Sequence, residues 1–104
     1  MPGSFRKVAN TCDIQPGKMK RVELDRHLLL IANVDGNYYA LDDTCTHEDA
    51  SLSTGSLQGD LIKCPLHGSR FNVRTGAVLE EPAEENLRTY TVVIDGRDIL
   101  IQWS

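Results

Sequence analysis

Two short segments concentrate side chains that bind metals: Cys45-Thr46-His47 and, after sixteen intervening residues, Cys64-Pro65-Leu66-His67. Each offers one thiolate and one imidazole, so two loops carrying them can converge on a single centre. The chain has three cysteines and three histidines, and these segments take two of each. An odd cysteine count in a small chain for which no secretory leader is expected argues against a disulfide framework and for metal binding or a reactive thiol. Zinc in a Cys2His2 site usually draws on a Cys pair and a His pair, so one of each per loop is off-pattern for it. The same donor set suits a [2Fe-2S] cluster with two thiolates on one iron and two imidazoles on the other. Pro65 stiffens the second segment, and Gly68 allows the backbone to approach the centre closely. Cys12 and His27 stand apart. Cys12 is expected to be a small packed residue, and His27, opening an apolar run, a surface or edge residue.

The elements that must position these loops are strands. His27 to Val34 and Tyr38 to Leu41 flank Asp35-Gly36-Asn37, a hairpin signal. Tyr90, Val92 and Ile94 alternate before Asp95-Gly96-Arg97, and Ile99, Ile101 and Trp103 alternate after it, which predicts one shared sheet face. Residues 5–8, 19–24, 61–63 and 71–73 are shorter strand candidates. Breakers at Pro16-Gly17, Gly55, Gly59, Gly68 and Thr75-Gly76 recur about every ten residues, as in a sandwich or barrel of about eight to ten strands. Gly55 and Gly59 suit a hairpin base carrying the two loops. Only Glu80 to Leu87 could turn helically, and Pro82 limits it. A chain of 104 residues removes about two-thirds of its surface from water on folding, enough for one core and one domain, residues 1–104.

Over residues 45–53 (CTHEDASLS) and 64–76 (CPLHGSRFNVRTG) the sequence resembles the small bacterial Rieske-type [2Fe-2S] ferredoxins of aromatic-ring dioxygenase systems. The resemblance implies an all-β fold: a small antiparallel sandwich or barrel base with an inserted cluster-binding subdomain at about residues 43–76. It implies one Rieske [2Fe-2S] cluster per chain, with Cys45 and Cys64 on one iron and His47 and His67 on the other. It also implies an electron carrier, reduced by a flavin- and NAD(P)H-dependent ferredoxin reductase and oxidised by a terminal oxygenase. A small subunit of an assimilatory nitrite reductase is the related alternative, and a zinc-stabilised interaction module the unrelated one. Rieske proteins of quinol-oxidising complexes carry an extra cysteine in each loop, where this chain has Ala50 and Leu66. They place a Tyr where Phe71 stands, whereas Ser69 matches the family serine that can bond a bridging sulfide. Fewer donors to the reduced cluster predict a potential in the lower half of the Rieske range of about −150 to +300 mV.

Composition narrows the function further. Eleven Lys and Arg against fifteen Asp and Glu give a net charge of −4, which argues against nucleic acid or an anionic membrane as partner. The longest apolar run, Leu28 to Ala32, is five residues, so no span or leader is expected and a cytoplasmic chain is. Once the two cluster histidines are assigned only His27 remains, too few for a mononuclear oxygenase iron, and no Gly-rich nucleotide motif occurs. The chain is therefore expected not to be an enzyme by itself. Asp35, Asp42, Asp43, Glu48, Asp49 and Asp60 form a stretch without Lys or Arg, and Glu80, Glu81, Glu84 and Glu85 a second acidic group. Both are read as either a docking face for basic partners or a solvated surface. Tyr38, Tyr39 and Trp103 are expected in the core or at an interface.

Overall fold

The computed structural model describes residues 4–46, 49–66, 68–81 and 83–103. Among them the chain forms ten strands and two short 3-10 turns, with no α-helix. The strands are β1 (Ser4–Asn10), β2 (Met19–Leu24), β3 (His27–Val34), β4 (Asn37–Asp42), β5 (Ser56–Gln58), β6 (Leu61–Lys63), β7 (Arg70–Asn72), β8 (Thr89–Tyr90), β9 (Val92–Asp95) and β10 (Asp98–Trp103). They make three antiparallel sheets, ordered β1-β10-β9, β2-β3-β4-β8 and β5-β6-β7. The all-β reading and both expected hairpins hold, and the described part of 80–87 is not helical.

β3 shows how this sequence builds its layers. Its run of Leu, Ile, Ala and Val does not alternate with polar residues, because both of its faces are covered. Leu29 and Ile31 join Ala9, Ile14, Val22, Ile99 and Ile101 in a core between the first two sheets. Leu30, Ala32 and Val34 point the other way, into a second core with Leu52, Ile62, Phe71 and Val73. The single core expected from chain length is thus two apolar layers sharing one central strand.

Other expectations change in detail. The C-terminal alternation does not fill one face: Ile99 and Ile101 are fully buried, but their hairpin neighbour Ile94 is 44% exposed. Tyr90 leaves that sheet to pair with Ala40 of β4. Cys12 is not packed. It lies exposed in the 3-10 turn Thr11–Asp13, because Ile14, just after that turn, takes the buried position. No helix of the described residues is long and apolar enough to cross a membrane.

Candidate metal centre

β4 runs directly into the first Cys segment, and β6 and β7 frame the second. Cys45 and Cys64 are 4% and 2% exposed, and both belong to the apolar core that holds Ala50, Leu52, Ile62 and Phe71. The two segments close in the same way. The Cys45 amide donates to the Ala50 carbonyl at 2.9 Å, and the Cys64 amide to the Ser69 carbonyl at 2.8 Å, five residues on in each case. Each cysteine therefore stands at the buried foot of a short loop. His47 and His67, predicted as the nitrogen donors, lie outside the described residues, as does Glu48. Among the described residues no group of three His, Cys, Asp or Glu side chains could hold a metal ion.

Below the first loop the backbone is laced shut. Thr44 bridges Ser51, and the Leu52 amide donates to the Asp43 carbonyl at 2.7 Å. The Asp43 carboxylate, 1% exposed, accepts from the Ser51 hydroxyl at 2.6 Å and from the Ser53 amide at 2.9 Å. Below the second loop the register Lys63↔Arg70 and Ile62↔Phe71 does the same work by strand pairing. Gly68 takes φ +79 there, and its amide donates to the Cys64 carbonyl at 3.2 Å.

A strap over 80–87 ties the loops together. Thr46 Oγ1 donates to the Glu85 carbonyl at 2.7 Å, and the Ala83 amide donates to Ser69 Oγ at 2.9 Å. Because Ser69 Oγ accepts there, its own proton remains available to another acceptor. Ser69 is 1% exposed, and Phe71, the ring without a hydroxyl, is fully buried in the same apolar cluster as both cysteines.

The acidic stretch resolves into separate parts. Asp43 is internal, and Asp42 accepts from Tyr90 Oη at 2.6 Å and lies 2.8 Å from His27 Nε2, so neither contributes to an open acidic face. Burial, and then the Asp42 hydrogen bond, raise the Tyr90 phenol above its ordinary pKa. His27 is exposed on β3, with its ring 5.6 Å from that of Trp103, which fits the surface reading. Tyr38 donates to the Thr11 carbonyl at 3.1 Å, and Tyr39 packs against the second core. Neither the Asp43 clamp nor the strap has a signal in the sequence. The residues of Asp43-x7-Ser51-x-Ser53 are ordinary polar types, and only their register across the loop mouth gives them a role.

Two buried cysteines in one apolar core, at the feet of closed loops and near a hydroxyl with a spare proton, suit a cluster bound by two thiolates and two imidazoles, so the described residues fit such a group. The family model described as Rieske [2Fe-2S] domain matches residues 4–91. The chain is 41% identical over 102 residues to the biphenyl dioxygenase ferredoxin subunit of Pseudomonas sp. strain KKS102, covering 97% of this chain and 94% of that one. Among solved structures, it is similar to a chain in the complex of reduced oxygenase and oxidized ferredoxin in carbazole 1,9a-dioxygenase. That match has a TM-score of 0.89 and 38% identity, and covers 94% of this chain and 92% of that one. The ferredoxin of Sphingomonas yanoikuyae B1 superposes with a TM-score of 0.93 at 29% identity, over 97% of this chain and 100% of that one.

Proposed function

The chain belongs to the Rieske [2Fe-2S] domain family, and from that premise we propose that Cys45, His47, Cys64 and His67 hold one cluster and make it an electron carrier. When bound, the cluster takes up and gives back a single electron. Two ferric ions, two sulfides and two thiolates sum to zero charge with neutral imidazoles, so adding an electron costs less than it does at a four-thiolate centre. The observation that carries this reading is the pair of buried cysteines at the feet of two loops closed by the same backbone bond. Around the cluster the chain excludes water with Leu52, Ile62 and Phe71, and Ser69 offers a proton-bearing hydroxyl. The unit that does this comprises about residues 43–76, set on the two-sheet base.

In this reading a flavin- and NAD(P)H-dependent reductase supplies the electron, a terminal oxygenase accepts it, and both meet the carrier in the cytoplasm. The relatives support this, being ferredoxin components of dioxygenase systems, one of them matched within a complex with its oxygenase. The loop end suits docking. Leu66 is 60% exposed on the second loop, and Leu79, Glu80, Glu81, Glu84 and Glu85 are exposed on or beside the strap. An apolar contact with an acidic surround favours basic partners and makes association salt-dependent.

The test is spectroscopy of the purified chain followed by reconstitution. A red-brown protein containing inorganic sulfide, bleached by dithionite with a paramagnetic signal on reduction, is the expected result. A colourless zinc-loaded chain that takes up no iron and sulfide would sink the ligand assignment. Electron delivery from NADH through a dioxygenase-type reductase, slowing as salt rises, tests the partner reading.

A further inference from the structure

Asp43 is a buried carboxylate to which the carrier function assigns no role. It is 1% exposed, it stands two residues before Cys45, and no Lys or Arg among the described residues comes within ion-pair distance of it. Burying a carboxylate without a cation is costly unless hydrogen bonds compensate. Here, among the described residues, they do so at the mouth of the first loop. One oxygen accepts from the Ser53 amide at 2.9 Å and the other from the Ser51 hydroxyl at 2.6 Å. Ser51 also faces Ser53 Oγ at 3.0 Å, and the Asp43 backbone accepts from Leu52 and donates to Leu28. The carboxylate thus grips the return limb of the loop that begins at Cys45, while β3 grips Asp43 itself.

Those contacts do not require a charge. An Asn side chain could make both contacts, but as neutral hydrogen bonds, weaker than the charge-assisted ones a carboxylate accepts. A charge at this point also acts on any nearby centre that responds to charge. The Cα atoms of Asp43 and Cys45 are at most about 7 Å apart along the chain, and in a buried setting salt screens little of the field. We propose that Asp43 is a positioning residue with two linked effects: it holds the Cys45 loop closed on the cluster, and its carboxylate opposes the arrival of the electron. This rests on the four-ligand reading of the preceding subsection.

The experiment uses the cluster-loaded chain, wild type against Asp43→Asn and Ser51→Ala, with two readouts: the midpoint potential and the rate of cluster loss to a chelator. Asp43→Asn removes the charge and weakens the clamp, so the midpoint should rise and the cluster be lost about tenfold faster. Ser51→Ala keeps the charge and removes one donor, so loss should quicken while the midpoint stays at the wild-type value. A loaded Asp43→Asn variant that lacks either change overturns the proposal. If that variant takes up no cluster, Ser51→Ala decides alone: faster loss sustains the proposal, and the wild-type rate overturns it. A wild type that itself takes up no cluster overturns the ligand assignment and this inference together, whereas a loaded wild type with indifferent variants overturns only this one.

Discussion

The two Cys loops reach one boundary condition by different means. In both, a buried cysteine donates its amide to the carbonyl five residues on, yet what lies beneath differs. The first loop stands on side chains, the Asp43 carboxylate with Ser51 and Ser53. The second stands on the backbone, the paired strands β6 and β7 and a glycine at φ +79. A loop between paired strands inherits its closure from the ladder, whereas a loop beside a 3-10 turn must supply closure locally. The first should therefore be sensitive to polar side-chain changes, and the second to changes in backbone freedom.

The largest effect tests what the loops share. Cys64→Ala removes one of the two buried thiols and should abolish the visible absorbance of the reconstituted chain, leaving the β-sheet signal in circular dichroism. Retention of an iron-sulfur spectrum would mean that the second loop's foot is not a ligand. His67→Cys should instead keep a cluster, add one negative charge and lower the midpoint. An unchanged midpoint in a loaded variant would count against the nitrogen assignment.

Gly55 is where the two supports meet. It ends the 3-10 turn Leu52–Thr54 beneath the first loop, and a Cβ there would overlap the Lys63 carbonyl oxygen at the foot of the second while lying 3.2 Å from Pro65 Cδ. Neither neighbour is the end of a flexible side chain. Gly55→Ala should cost about 3 kcal/mol, read as a fall in melting temperature of roughly 15 °C. By contrast, Gly68→Ala should cost about 1 kcal/mol, for the left-handed φ alone, because the nearest atom to its Cβ, at 3.3 Å, is the mobile Lys63 Cε. Equal losses at the two sites would erase the distinction between a packed junction and a strained turn.

How much of this was legible in the sequence follows the same division. The second loop's frame was readable: residues 61–63 and 71–73 read as short strands, and β6 and β7 fall at or within one residue of those positions. The C-terminal and central hairpins were readable too, because Asp-Gly turns and apolar runs are local signals. The Asp43 clamp was not, since a carboxylate in an acidic stretch looks like solvated surface until its register against Ser51 and Ser53 is known. Nor was the two-sided burial of β3, because a continuous apolar run does not say which layers cover it. Cys12 departs from the expected burial because that expectation rests on the residue type, whereas the turn holding it gives the inward position to Ile14.

The smallest expected effect compares two carboxylates that each accept two hydrogen bonds. Asp25 is exposed in the β2–β3 turn at φ 48, and it accepts from Trp103 Nε1 at 2.9 Å and from Arg6 at 3.1 Å. The Trp103 bond first, and then Arg6, lower its pKa below the ordinary 3.8. A folded-state pKa below the unfolded one gives stability that is present above 3.8 and lost as pH falls through the folded value. Asp25→Asn should therefore be slightly less stable than wild type at neutral pH, and the difference should vanish in acid, followed through Trp103, the only tryptophan. Its charge faces water and is screened, so the midpoint should stay put, whereas the buried Asp43 should shift it. If Asp25→Asn moved the potential as far as Asp43→Asn, burial would not be what separates the two, and the special standing of the first loop's clamp would fall with it.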